Sequence, residues 1–249
     1  MLTQTRIQTY RSWEDSGEMP LAPLTGLFGK NGTGKSAILQ WLRQQVPSAI
    51  YLSPFRAPLS NLALGEFAKS IPHDNGQAET SLINEALHKL GLIYEAKELQ
   101  TPSTGALQAL PLLQACYTAP PDSLILIENP EILLHPTSQA ELADLFIEAV
   151  TKRNVQIIFE SHSEYLLHRL QRRIAEEQIA NEAVALYFCE IGEAGASKLT
   201  TLQVNEYGSI CNWPRDFFGN EMDDLCAMVD AEMKRKRKAR KPVAQEVLA

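Results

Sequence analysis

Apolar residues gather in short unbroken runs, separated by longer stretches in which they recur every three or four positions. Leu24-Thr25-Gly26-Leu27-Phe28, Ala49-Ile50-Tyr51-Leu52, Leu124-Ile125-Leu126-Ile127, Val155-Gln156-Ile157-Ile158-Phe159 and Val184-Ala185-Leu186-Tyr187-Phe188 read as strands. Residues 5–11 read as a first strand, followed by the turn Glu14-Asp15-Ser16-Gly17, and residues 198–204 as a last one. Helices are predicted over about 35–45, 106–117, 137–151, 163–179 and 220–238, with Pro47 ending the first. Residues 59–99 read as helical, broken near Ile71-Pro72-His73-Asp74-Asn75-Gly76. There Leu82, Ile83, Ala86, Leu87 and Leu90 share one helix face.

Apolar strands alternating with helices imply an α/β fold with a mainly parallel central sheet, buried on both faces. Ligands of such sheets sit at the carboxyl ends of the strands. Gly29, Glu128 and Ser161 each lie just past a predicted strand, so they converge on one sheet edge despite their distance in sequence.

Composition narrows the class. The 249 residues suffice for one large domain with a small appendage, and 45% hydrophobic content supports a substantial core. We place a domain over 1–220, with a helical subregion at 59–118, and a C-terminal helix with a basic tail over 221–249. No apolar run reaches the roughly 20 residues of a membrane helix, and Met1-Leu2-Thr3-Gln4-Thr5-Arg6 has no signal-peptide character. Cys116, Cys189, Cys211 and Cys226 are scattered, which suits a reducing cytoplasm and no structural zinc. Net charge is −7, yet residues 234–241 hold seven basic residues in eight, so the body is more acidic than the total. That run either contacts nucleic-acid phosphates or an acidic partner, or is a solvated helix end.

Chemistry enters with Gly29-Lys30-Asn31-Gly32-Thr33-Gly34-Lys35-Ser36, which fills every fixed position of the phosphate-loop pattern G-x-x-x-x-G-K-[ST]. Glycines let the backbone wrap a polyphosphate, and its N–H groups form an anion nest at a helix N-terminus. Candidate nucleotide contacts are Gly29, Asn31, Gly32, Thr33, Gly34, Lys35, Ser36 and Ala37. Lys35 reaches the terminal phosphates and the Ser36 hydroxyl ligates Mg²⁺.

Glu128 ends a buried strand and is the candidate carboxylate of the second nucleotide-binding motif, holding Mg²⁺ through water beside Ser36. In Glu128-Asn129-Pro130-Glu131, the second acid either polarises an attacking water or is a first-turn acid near a helix start. His162, beyond the strand ending at Phe159, either hydrogen-bonds a γ-phosphate or is structural. His135 shapes the turn before a helix. Trp13 or Tyr10 stacks on adenine or packs in the core, and Arg56 either approaches phosphate or forms an ordinary ion pair.

These motifs together resemble the ABC-type ATPases, within the branch shared by SMC, RecF and OLD-like proteins. The resemblance runs through PLTGLFGKNGTGKS, SLILIENPEILLHPTSQAELADLFIEA and IIFESHSEYLLHRLQRRI. Residues 51–56 and 184–218 are similar to an OLD-like bacterial subfamily. The resemblance implies an ABC-type head that binds ATP and Mg²⁺ between two copies of the chain, the phosphate loop of one facing a signature segment of the other. Ser103-Thr104-Gly105-Ala106-Leu107-Gln108 matches that segment's place, departing from the usual Leu-Ser-Gly-Gly-Gln, with Ser103 and Gly105 as its nucleotide contacts. Where the family has an Asp-Glu pair this chain has Glu128-Asn129, so the amide replaces the usual base. Against the resemblance, this departure implies either that Glu131 takes over as base or that turnover is slow; we expect sluggish hydrolysis, with ATP acting mainly as a dimerisation switch. No D-x-D metal pair follows residue 180, so a nuclease or other effector is expected on a separate chain, in a setting such as bacterial defence. A non-hydrolysing scaffold and a transporter's nucleotide-binding subunit are the alternative readings.

Overall fold

A computed structural model describes residues 1–54, 76–92, 103–214, 217 and 221–239. Arg56, the stretches 59–75 and 93–102, and the tail beyond 239 lie outside the described residues. The chain forms two compact units, Met1–Pro214 and Arg215–Ala249.

In the larger unit, β5 (Leu24–Gly29), β7 (Leu124–Glu128) and β8 (Gln156–Ser161) are buried at every position. Such uninterrupted burial is possible only in strands covered on both faces. With β6 (Ile50–Leu52), β9 (Val184–Ile191) and β10 (Ser197–Leu202) they form a six-stranded sheet in the order β10-β9-β5-β8-β7-β6. All pairings are parallel except the edge pair β9–β10. The expected α/β architecture with a mainly parallel sheet is therefore the observed one. The order places β8 between the strand entering the phosphate loop and the strand ending in Glu128.

Among the described residues, five helices accompany the sheet in this unit: α1 (Lys35–Gln45), α2 (Gly76–Lys89), α3 (Thr104–Thr118), α4 (Pro136–Arg153) and α5 (Glu164–Ala175). Each of α3, α4 and α5 begins with a side-chain cap. Ser103 accepts from the Ala106 N–H, His135 Nδ1 from Thr137 and Ser163 from Leu166, satisfying donors that a helix start leaves orphaned. Pro111 lies inside α3 without ending it. The face of α1 carrying Ala37, Ile38, Leu39 and Leu42 packs into a core with Trp13, Met19, Leu27, Leu126, Ile158 and Tyr187. Helices α4 and α5 are joined by ion pairs from Asp144 to Arg169 and Arg173, both 2.5 Å.

The N-terminal expectation is corrected. The single strand over 5–11 divides into β1 (Gln4–Thr5) and β2 (Gln8–Tyr10), and β2 pairs with an unexpected β3 (Trp13–Asp15). The reversal occurs between Tyr10 and Trp13 rather than at Glu14. Thr9 and Arg11 adopt φ of 50° and 54°, a left-handed conformation that no glycine or asparagine advertises here. A short β4 (Met19–Pro20) pairs with β1. Helix α5 stops at Ala175, short of the expected 179, because Glu177 turns left-handed at φ 58°. Strand β10 ends at Leu202, and Val204 instead bridges Ile210.

The smaller unit contains α6 (Glu221–Ala239), in which residues 226–236 are exposed. Among the described residues, no helix is long and apolar enough to cross a membrane.

Candidate nucleotide site

The turn from β5 into α1 has the backbone its glycines predict. Gly29 sits at φ 140°, and a Cβ there would lie 2.1 Å from the Cys189 carbonyl oxygen of the neighbouring strand. Gly34, at φ 89°, caps α1 and leaves no room for a side chain: a Cβ would meet Trp13 Nε1 and Ser197 Oγ at 2.6 Å each. The loop is therefore gripped from behind. Trp13 donates its indole N–H to the Gly34 carbonyl at 3.0 Å, and Ser197 joins Ser12 through its backbone N–H (2.7 Å) and hydroxyl (2.6 Å).

Lys35 folds back over the loop, donating to the Gly29 and Lys30 carbonyls at 2.8 Å each. It is only 5% exposed, and burial lowers its pKa from the ordinary lysine value, against the raising influence of Glu160. Thr33 closes the turn by donating to the Lys30 carbonyl at 2.9 Å.

The acid nearest the loop serine is one the motif reading passed over. Ser36 Oγ lies 2.8 Å from both carboxylate oxygens of Glu160, at the end of β8. Glu160 is 1% exposed. Burial pushes its carboxyl up to about 7; the Ser36 hydrogen bond and the Lys35 charge oppose that rise, and the charges of Glu128 and Glu131 reinforce it. Glu128 stands opposite Glu160 in the parallel register of β7 and β8, so both side chains leave the same sheet face. Yet Glu128 accepts from the Tyr51 hydroxyl of β6 and, at 3.4 Å, from Gln40 Nε2 of α1. Burial first, and then the Glu128 hydrogen bond and charge, raise the Tyr51 pKa, while the Gln40 contact opposes the rise.

Asn129, at φ 42°, donates from Nδ2 to Glu160 Oε1 at 3.2 Å, while its N–H meets the Glu160 carbonyl at 3.0 Å. Glu131 turns toward the adjacent strand end and accepts from the His162 backbone N–H at 2.7 Å. His162 is held below its ordinary pKa by partial desolvation and then by Lys35, against a hydrogen bond with the Gly29 backbone.

A cavity of 260 Å³ opens here, lined by Arg11, Ser12, Asn31, Gly32, Thr33, Gly34, Lys35, Ser36, Ala37, Asn129, Glu160 and His162. Of the expected residues, Asn31 to Ala37 and His162 line this cavity, and Gly29 does not. Glu128 and Glu131 are also outside the lining, Glu131 touching the His162 N–H and Glu128 turned to Tyr51 and Gln40. Ser103 and Gly105 are outside it. Gly105 is buried against the Leu133 carbonyl, which a Cβ would approach to 2.9 Å, while Ser103 is exposed. Trp13, 1% exposed, is committed to the loop carbonyl, and Tyr10 packs on Trp41 beneath the Arg11 guanidinium. The residues missed from sequence are Glu160, Ser12, Tyr51, Gln40 and Ser197. Only Glu160 carried a sequence cue, as a charged residue directly after the apolar run Ile157-Ile158-Phe159.

The donor set suits a hard cation with a polyphosphate. A serine hydroxyl and a carboxylate meet at the loop's base, where magnesium favours oxygen ligands and keeps several waters. Among the described residues, no three His, Cys, Asp or Glu side chains are placed to cage a metal by themselves.

Comparison with solved structures agrees with this architecture. The RNase-L inhibitor superposes with a TM-score of 0.54 at 16% identity, covering 80% of this chain and 39% of that one. The archaeal ribosome recycling factor aABCE1, solved with the ribosomal stalk protein aP1, gives 0.53 at 16% identity, covering 80% and 38%. The fold is that of an ABC-type ATPase head. This chain spans well under half the length of those two proteins. An SMC head bound to the C-terminal winged-helix domain of ScpA matches more loosely, at 0.48 and 12% identity, covering 82% and 98%. In sequence, residues 81–168 match a family described as an AAA domain and associated with the AbiEii toxin of type IV TA systems. Residues 179–227 match DUF3696, a family of unknown function. No curated protein is significantly similar to the chain.

Proposed function

We propose that the protein binds ATP with Mg²⁺ in this cavity, hydrolyses it slowly, and uses the bound triphosphate to join two copies of the chain. The observation that carries the reading is the complete phosphate loop, braced on a rigid sheet edge with Lys35 and Ser36 facing one cavity. Such a loop supplies converging backbone donors and a fixed positive charge to a polyphosphate. Magnesium, when bound, neutralises phosphate charge during transfer. This chain's own contribution is to hold the phosphates with the loop, seat the cation at Ser36 and orient water near the Asn129–Glu131 turn. Exposed Ser103, capping α3, supports a trans contact from the second copy.

Asn129 supports slow turnover, because an amide does not accept the attacking water's proton. A separate effector, an OLD-like relationship and a role in defence extend the reading by resemblance. Transporter subunits share this fold, and co-purification with membranes would favour that reading.

Isothermal calorimetry with ATP and Mg²⁺ tests the core claim. Wild type takes up nucleotide, and Lys35→Ala does not. Light scattering then shows ATP-dependent dimers for wild type alone. A wild-type protein that binds no adenine nucleotide overturns the reading.

A further inference from the structure

Two buried carboxylates lie at the carboxyl ends of neighbouring strands, and the strand register sets them side by side. They are differently engaged. The Glu128 carboxylate is turned toward β6 and α1, taking the Tyr51 hydroxyl and the Gln40 amide. The Glu160 carboxylate is turned toward the loop, with both oxygens 2.8 Å from the Ser36 hydroxyl. Asn129 fixes one of those oxygens from the far side at 3.2 Å.

A serine hydroxyl has one proton and two lone pairs. Donating the proton to a carboxylate leaves the lone pairs for a cation on the phosphate side. The acid that accepts this proton is the one beside the cation and its waters. Resting on the nucleotide-site reading above, we infer that Glu160, and not Glu128, is the carboxylate that holds magnesium at Ser36. Glu128 then positions: through Tyr51 and Gln40 it ties β7 to β6 and α1. A cation held there would take nucleotide oxygens and water as its further ligands, since no three His, Cys, Asp or Glu side chains among the described residues cage a metal.

The test measures binding of the slowly hydrolysed analogue ATPγS to the full chain, with Mn²⁺ and with EDTA, and bound Mn²⁺ by electron paramagnetic resonance. The readout is the ratio of the two affinities. In Glu160→Gln this ratio falls by about tenfold or more and the bound-Mn²⁺ signal weakens. In Glu128→Gln the ratio changes less. A Glu160→Gln ratio within about twofold of wild type, or a larger loss in Glu128→Gln, overturns the assignment. If Glu160→Gln does not fold, anomalous scattering from Mn²⁺ in wild-type crystals with ATPγS decides: a cation beside Glu160 supports the inference and one beside Glu128 overturns it. Wild type that binds nucleotide while these variants contradict the assignment loses only this inference. Wild type that binds no nucleotide loses the proposed function as well.

Discussion

The side-chain amide of Asn129 donates to the buried carboxylate of Glu160 at 3.2 Å, across the ends of neighbouring strands. An asparagine suits this place twice over. Its φ of 42° is a conformation that asparagine tolerates better than most residues, and its amide supplies a donor where a second acid would repel. Asn129→Asp is therefore expected to lower stability by about 1–3 kcal/mol, read as a reduced denaturation midpoint at neutral pH. An unchanged midpoint would show that the contact contributes nothing.

Trp13 serves the loop through its N–H, not through its ring face. Trp13→Phe keeps an aromatic ring but removes the donor to the Gly34 carbonyl. About 1 kcal/mol of loop order is expected to disappear, weakening ATP affinity by about fivefold. Full affinity in the phenylalanine variant would instead fit a ring that only packs or stacks.

Gly29→Ala combines two faults. The left-handed backbone disfavours any side chain, and the new methyl would collide with the Cys189 carbonyl at 2.1 Å. A loss on the order of 3 kcal/mol or more is expected, visible in chemical denaturation without nucleotide. Near-wild-type stability would mean that β5 and β9 part easily at this end.

Glu131 is tied through one oxygen to the His162 backbone N–H, an interaction glutamine can keep. If Glu131 is the base that replaces the absent one, Glu131→Gln retains ATP binding while turnover falls on the order of 100-fold. Equal single-turnover rates in variant and wild type would remove it from the chemistry.

Asp144 lies between Arg169 and Arg173 with its side chain 26% exposed. Burial alone would raise its pKa, but the Arg173 hydrogen bond and the two guanidinium charges outweigh that, so the native value is lowered. A depressed native pKa stabilises the fold above the ordinary carboxylate range, and the benefit is lost as pH falls through the native value. Asp144→Asn is expected to be about 1–3 kcal/mol less stable at neutral pH, with the gap to wild type closing in acid. A gap independent of pH would point to packing instead.

How much of this was legible beforehand differs by element. Strands β5, β7 and β8 were readable because burial on both faces favours unbroken apolar runs, such as Leu124 to Ile127 in β7 and Ile157 to Phe159 in β8. The phosphate loop was readable because its backbone demands glycines at fixed places. The β2–β3 hairpin was not, since its left-handed residues are Thr9 and Arg11. The pairing of Ser36 with Glu160 was not either: the two are 124 residues apart, and Glu128 is an equally good match to a strand-ending acid.

The sequence by itself determined the layered α/β plan and the loop able to hold phosphate, because burial pattern and glycine stereochemistry are local properties. Only the tertiary structure decided which acid meets Ser36. That outcome depends on strand order: β8 runs beside β5, and β7 lies one strand farther away. A carboxylate's partner is set by distance across the sheet, and separation along the chain carries no record of it.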